Sequence, residues 1–250
     1  MGKATEISWT DHTFNPWWGC IKVSPGCTNC YAEGLASRWG MDIWGPAKTT
    51  TRRTFAEKHW REPLKWNAAA ESAGVRRRVF CASMADVFED HPQLAVERVR
   101  LWSLIEQTPN LDWLLLTKRP ENIASMLPFR YFQNVWLGTS TEDQQRADER
   151  IPILLKQRWQ VPVLFLSVEP QLEDICLWPY LRDIDWVITG GESGPNHRPF
   201  DIEWAQHTRS ECAEEHVAWH FKQVGGRTHA AGGCLLDGIE HKAFPTPRAA

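Results

Sequence analysis

No run of apolar residues in this chain approaches the roughly 20 that a membrane-spanning helix needs. Behind Met1–Glu6 there is no apolar h-region, so no secretory leader is expected. An excess of one charge is missing too. The 28 Lys and Arg face 31 Asp and Glu, for a net charge of −3, which excludes polyanion binding by bulk charge alone. Low-complexity segments are absent, and 42% hydrophobic against 24% charged residues excludes a disordered chain. What remains is a cytoplasmic globular protein of 250 residues, long enough for one domain with a sizeable core. Two surpluses stand out: 15 Trp and 7 Cys.

The charge is unevenly spread. Residues 48–78 hold nine basic residues (Lys48, Arg52, Arg53, Lys58, Arg61, Lys65, Arg76, Arg77 and Arg78) against Glu57, Glu62 and Glu71. Phe55, Trp60 and Trp66 are interleaved with them. Basic groups beside flat aromatic faces suit a nucleic-acid backbone with stacked bases. The same pattern also suits a solvated connection whose tryptophans cap the core.

From residue 79 onward short apolar runs recur: Val79–Ala82, Trp113–Thr117, Val135–Thr139, Val163–Val168, Trp186–Thr189 and Val217–Phe221. Such runs read as buried parallel strands. Helical stretches lie between them. Pro92–Gln107 places Ala95, Val99, Trp102 and Ile105 on one stripe. Thr141–Arg150 reads as a charged surface helix stopped before Pro152, and Ile202–Glu215 as another helix. Strand alternating with helix predicts an α/β fold with a parallel sheet. Residues 225–250 read as a tail that wraps the surface.

The strand ends are polar. They read Ser83 and Asp86; Thr117, Lys118 and Arg119; Thr139, Ser140 and Glu142; Ser167 and Glu169; Gly190, Gly191, Glu192 and Ser193; Lys222 and Gln223. In α/β folds ligands bind at the carboxyl ends of strands, so these residues predict one polar rim. A single Ser or Thr there could be a helix cap. Glu169 before Pro170, and Lys222 within a strand, are not cap chemistry.

The sharpest local signal is NPWWGCIKVSPGCTNCYAE, residues 15–33, with Cys20, Cys27 and Cys30 spaced C-x6-C-x2-C. Ser24-Pro25-Gly26 is turn chemistry that folds the loop back on itself. A disulfide does not suit a reducing cytosol. A redox pair leaves Cys20 without a role. Structural zinc wants a fourth ligand, for which His12 is nearest. Three thiolates on an iron–sulfur cluster leave one iron open. On spacing alone, iron–sulfur and zinc both stay open.

Together with FCASMADVFED, LLLTKRP, WLGTSTE, LSVEP, DWVITGGESG, FKQVGG and LLDGIEHKAFP, this stretch resembles a family of phage- and mobile-element-associated three-Cys-motif proteins. That family is similar to the radical S-adenosylmethionine (SAM) superfamily. The resemblance runs from about Ile7 to Pro245. It implies a single domain, a partial or complete parallel (β/α) barrel. Residues 1–40 would carry the cluster loop, 48–78 a basic aromatic insertion and 225–250 a tail. It implies a 4Fe–4S cluster on Cys20, Cys27 and Cys30, with SAM on the open iron. Reductive cleavage of SAM would give a 5′-deoxyadenosyl radical that abstracts hydrogen from substrate. An electron donor such as flavodoxin or ferredoxin is implied as partner, and nucleic acid or a nucleotide as substrate through residues 48–78.

The sequence departs from the superfamily pattern in two ways. The usual spacing is C-x3-C-x2-C with an aromatic before the last cysteine; here Asn29 holds that place and Tyr31 follows. A Gly-Gly-Glu element is usual after the second strand; here that position reads Ser83-Met84-Ala85-Asp86, and Gly190-Gly191-Glu192 comes strands later. Ser83 and Asp86 are therefore the candidates for the SAM amino group, and Thr139, Ser140 and Glu169 for its ribose or carboxylate. Glu192 and Lys222, with Lys118, Arg119 and Gln223, are candidates to act on substrate. The alternative is a zinc-stabilised nucleic-acid-binding protein without catalysis.

Overall fold

The computed structural model of the chain describes residues 5, 7–228 and 231–248. Seven strands form its main sheet: β1 (His12–Thr13), β2 (Arg77–Cys81), β3 (Leu111–Thr117), β4 (Val135–Ser140), β5 (Val163–Val168), β6 (Trp186–Gly190) and β7 (Ala218–Gln223). Their order in the sheet is their order in sequence, and every adjacent pair is parallel. The helices of the connections are α1 (Tyr31–Arg38), α2 (Glu57–Trp60), α3 (Glu62–Ala73), α4 (Ala95–Glu106), α5 (Ile123–Met126), α6 (Gln144–Leu155) and α7 (Ile202–Glu214). A singly wound parallel sheet of this kind curls into a partial (β/α) barrel rather than a doubly wound layer. The expected fold class and single domain are borne out.

Side chains alternate along each strand. One parity packs on the helices: Val79 and Cys81, Trp113 and Leu115, Val135 and Leu137, Leu164, Leu166 and Val168. The other parity meets inside: Phe80, Leu114, Trp136, Val163, Phe165, Trp186 and Ile188, joined by Trp9. Both faces are covered, which is why the strands read as continuous apolar runs. Gly138 is required here, since a Cβ would lie 2.5 Å from the Phe165 ring. Three tryptophans, Trp9, Trp136 and Trp186, thus fill the barrel's lower interior, while Trp60, Trp102, Trp113 and Trp219 pack in the outer layer.

Most boundaries agree with the sequence reading. Helix α4 is present, but its buried face is Arg98, Leu101, Trp102, Leu104 and Ile105, while Val99 is 68% exposed. Arg98 is buried because its guanidinium donates to the carbonyls of Val87 and Glu89 at 2.8 and 2.6 Å. Helix α6 continues through Pro152 instead of stopping before it. Its apolar face (Ala147, Ile151, Leu154) stays buried across the proline, and that packing outweighs the lost backbone bond.

Residues 48–78 hold the later part of the crossover from β1, with α2 and α3, and run into β2 at Arg77. Trp60 is buried in the core, as a capping tryptophan would be. Several of the charges are paired as well: buried Arg52 with Glu89 at 2.7 Å, exposed Arg76 with Asp112 at 2.6 Å, and Arg77 and Arg78 with Asp11. The described part of the tail packs back on the barrel. Phe244 lies against Arg78 and Trp186, and Trp186 Nε1 donates to the Ala243 carbonyl at 2.9 Å. Residues 229–230 and 249–250 of that tail lie outside the described residues. No helix among the described residues is long and apolar enough to cross a membrane.

Candidate active site

Continuing the inward parity past the apolar layer leads to polar residues. The inward series of β4 runs Trp136, Gly138, Ser140; that of β5 runs Phe165, Ser167, Glu169; that of β7 runs His220, Lys222. Ser140 and Ser167 are register partners. Lys118, just past β3, reaches Ser140 Oγ at 3.0 Å. Lys222 is ion-paired with Glu169, and Gln223 Nε2 lies 3.5 Å from the same carboxylate oxygen. The mouth of the barrel is therefore lined by two ammonium groups, a carboxylate and two hydroxyls.

Thr139 has the opposite parity. Its hydroxyl donates to the Thr117 carbonyl at 2.9 Å and the residue is fully buried. It does not face the mouth, which corrects its expected place on the rim.

The cysteine loop closes over this mouth. It leaves β1 through Gly19, whose φ of +112° suits glycine. A Cβ at Gly19 would meet the Ile43 carbonyl oxygen at 2.3 Å. Residues at the strand ends then hold the loop down. Gly26 N–H donates to Glu142 Oε1 at 3.2 Å, and Glu142 is itself paired with Arg150 at 2.8 Å. Burial alone would raise the Glu142 carboxyl, but Lys118 and Arg150 hold it below the usual range. Glu192 takes Arg198 bidentately, at 2.6 and 3.0 Å, and Asn29 Nδ2 at 2.9 Å. Arg198 in turn donates to the Pro25 carbonyl at 3.0 Å. Burial would raise the Glu192 carboxyl as well, and these donors hold it low. Glu192 is thus a loop brace with both oxygens engaged, not a side chain free to act on substrate.

Asp86 is similarly occupied. It accepts from Thr117 Oγ1 at 2.7 Å, Lys118 N at 3.0 Å, Phe88 N at 3.0 Å and Arg119 Nη1 at 2.8 Å. These four donors use both oxygens, which leaves little for an external ammonium group. Arg119 is buried and aims at the loop: both Nη atoms lie 3.6 Å from Cys20 Sγ, and Nη2 donates to the Ile21 carbonyl at 2.7 Å. Ser83 Oγ accepts from Asn15 Nδ2 at 3.1 Å, and the Ser83 carbonyl accepts from Tyr31 OH at 2.9 Å. Asn15, Tyr31 and Arg198 escaped the sequence reading. Asn15 and Tyr31 flank the cysteine motif, which is the signal that could have found them; nothing local marks Arg198.

All seven cysteines are free, so no disulfide links the trio. Burial pushes the Cys20 thiol up to about 12, with Arg119 pulling the other way. Burial also raises Cys30, opposed by the backbone N–H groups of Glu33 and Ala32 and then by the Lys118 ammonium. Ser24 Oγ lies 3.8 Å from Cys27 Sγ. Among the described residues, no three His, Cys, Asp or Glu side chains gather as one metal ion would require. His12 stacks flat on Trp66 at 4.4 Å instead of joining the cysteines. Mononuclear zinc therefore has no donor set here. A four-iron cluster makes a different demand, one thiolate on each of three separate irons. Three free thiols in one loop, with Arg119 against Cys20 and Lys118 near Cys30, are the donor chemistry that anionic group takes.

The family described as "Protein of unknown function (DUF5131)" matches residues 4–245. The chain belongs to the DUF5131 family. No curated protein matches this DUF5131 chain. Solved structures similar to it include a spore photoproduct lyase carrying a single cysteine-to-serine substitution, with 13% identity and a TM-score of 0.50. Another is a doubly substituted spore photoproduct lyase with bound AdoMet and dinucleoside spore photoproduct, with 14% identity and a TM-score of 0.50. Each match covers 84% of the DUF5131 chain and 63% of the lyase chain. At this identity the likeness shows the fold alone, a partial (β/α) barrel of the radical-SAM type.

Proposed function

We propose that this chain is a radical SAM enzyme. The observation that carries the reading is the convergence of the three-thiol loop with the inward polar ends of β3, β4, β5 and β7 at one barrel mouth. Cys20, Cys27 and Cys30 would hold a 4Fe–4S cluster. With one iron open to SAM, such a cluster supplies the electron that cleaves the cofactor reductively and starts hydrogen abstraction from substrate.

The chain's own residues do the rest. Glu142, Glu192 and Arg198 hold the cysteine loop over the mouth, which keeps water from the reacting centre. Lys118, Ser140, Ser167, Glu169 and Lys222 line the space beneath. In this arrangement Ser140 and the Glu169–Lys222 pair bind and orient the polar parts of SAM. Lys222 stays poised between cofactor and substrate. Ser83, held by Asn15, offers its hydroxyl to the same ligand. Asp86 takes part indirectly, by fixing Arg119.

The substrate is a nucleic acid or nucleotide. Two observations support this. A lyase of the same fold has been solved with a dinucleoside photoproduct. The crossover also presents Arg53 outward, with its guanidinium over Trp18 and Phe55 at 4.9 and 5.6 Å, beside half-exposed Trp39. Cations beside stacked aromatics suit unpaired bases. An external donor such as flavodoxin or ferredoxin supplies the electron, and the free thiols suit a reducing cytoplasm.

The test is anaerobic reconstitution. About four irons per chain and 5′-deoxyadenosine on reduction with SAM are expected, both lost in Cys27→Ala. A colourless protein with neither iron nor SAM cleavage would sink the reading.

A further inference from the structure

We propose that Arg119 is a positioning residue that sets the charge environment of Cys20, and through it the reduction potential of the cluster. The inference rests on the functional reading above. Its basis is a buried relay. Asp86 is 5% exposed and Arg119 6%. Their ion pair, at 2.8 Å, fixes the guanidinium plane. The Ile21 carbonyl takes one further N–H, from Nη2 at 2.7 Å. Both Nη atoms then converge on Cys20 Sγ at the same distance, 3.6 Å.

A brace for the fold alone would send its remaining N–H groups to oxygen acceptors, as Arg98 does with two carbonyls. Arg119 gives them to sulfur. Its neighbours in the trio are served differently: Cys27 has a serine hydroxyl nearby, and Cys30 the backbone N–H groups of Glu33 and Ala32, with the Lys118 ammonium further off. Only Cys20 receives two charged N–H groups in a buried, low-dielectric setting, where such contacts act most strongly.

Hydrogen bonds and positive charge at cluster sulfurs favour the reduced, more negative state. Removing the guanidinium must therefore make reduction harder. It changes no ligand and blocks no substrate.

The experiment compares reconstituted full-length wild type with R119K, R119Q and the R119Q/D86N double variant. The double variant avoids stranding Asp86 as a buried lone charge. Iron content and circular dichroism are read first, then the reduced fraction by electron paramagnetic resonance in a poised titration without SAM. At a fixed poise, the ratio of reduced to oxidised cluster in R119Q should fall about tenfold, equal to about 59 mV for one electron. The double variant should fall less, because it also removes the opposing Asp86 charge. R119K, which keeps the charge but not the fork, should fall between R119Q and wild type. Iron lost from folded R119Q but kept in R119K also supports the role, because it follows the charge. Wild-type iron with wild-type potential in all variants would reduce Arg119 to packing and overturn the proposal. So would loss of fold or of iron in all three. Wild type without iron would instead sink the functional reading, and this inference with it.

Discussion

Asn29 donates from Nδ2 to Glu192 Oε2 at 2.9 Å, and so ties the residue just before Cys30 to the end of β6. The contact spans 163 positions of sequence. It gives the late Gly-Gly-Glu element a structural role. Gly191 lets the backbone pass the Val224 carbonyl oxygen, which a Cβ would approach to 1.9 Å, and Glu192 then reaches across the mouth to the loop.

Glu192→Gln should therefore loosen the loop rather than abolish chemistry outright. The substitution removes the bidentate pair with Arg198, a part-buried charged contact worth about 1 kcal/mol. The expected result is a severalfold faster alkylation of Cys27 and Cys30 in the cluster-free protein. Reconstituted protein should lose iron faster and keep partial turnover. Unchanged alkylation with zero turnover would show that Glu192 acts directly on substrate.

Gly138→Ala tests the barrel interior. The new methyl would meet the Phe165 ring at 2.5 Å, and that ring is hemmed by Trp186. Overpacking of this kind costs about 1–3 kcal/mol. The thermal midpoint should fall by roughly 2–4 °C for each kcal/mol. Gly34→Ala, in helix α1, is the contrast, because its Cβ meets nothing within 4 Å. Helix propensity predicts a gain there of about 1 kcal/mol at most. Equal effects at both glycines would contradict this interior packing.

The strands were legible because a sheet covered on both faces leaves continuous apolar runs. The polar mouth was legible because the same parity runs on into Ser140, Ser167 and Lys222. Parity also separates Thr139 from Ser140, a distinction that residue type alone does not make. The Val99 stripe on α4 was misread because Arg98 behaves as a core residue once carbonyls meet its guanidinium. Nor could spacing reveal that Asp86 and Glu192 are occupied. Their donors are placed by the fold: Arg119 comes from the end of the neighbouring strand β3, and Arg198 turns back on Glu192 from six residues further along the chain.

His220 makes the protein acid-sensitive before its carboxylates do. Burial lowers the imidazole to about 4, helped by Lys242, Lys222 and Arg78, while Ser8 Oγ lies 2.9 Å from Nε2. The unfolded chain titrates near 6.5 and takes up its proton first. The stability from the neutral ring is full above about pH 6.5. It is lost progressively as pH falls towards 4, by up to roughly 3 kcal/mol. His220→Gln should flatten the thermal midpoint between about pH 7 and about pH 5. An equal slope in wild type and variant would assign the acid loss elsewhere.

The basic crossover holds two kinds of charge, and they should separate by experiment. Arg76, Arg77 and Arg78 are paired to Asp112 and Asp11, so neutralising them strips the fold of partners. Arg53, Lys58 and Arg61 are exposed and have no ion pair among the described residues. If single-stranded nucleic acid binds this face, Arg53→Gln/Lys58→Gln/Arg61→Gln should weaken binding with no change in thermal midpoint. Every phosphate deprived of its cation lowers the slope of log K against log salt by about 0.7 for single strands, so the triple variant should show a slope smaller by up to about 2. Trp39→Ala should weaken binding with the slope unchanged, because stacking releases no counterions. Arg76→Gln/Arg77→Gln/Arg78→Gln should lower the thermal midpoint and leave the slope of the folded protein as it was. A slope that responds to Arg76–Arg78 but not to Arg53, Lys58 and Arg61 would move the binding face away from the cysteine loop.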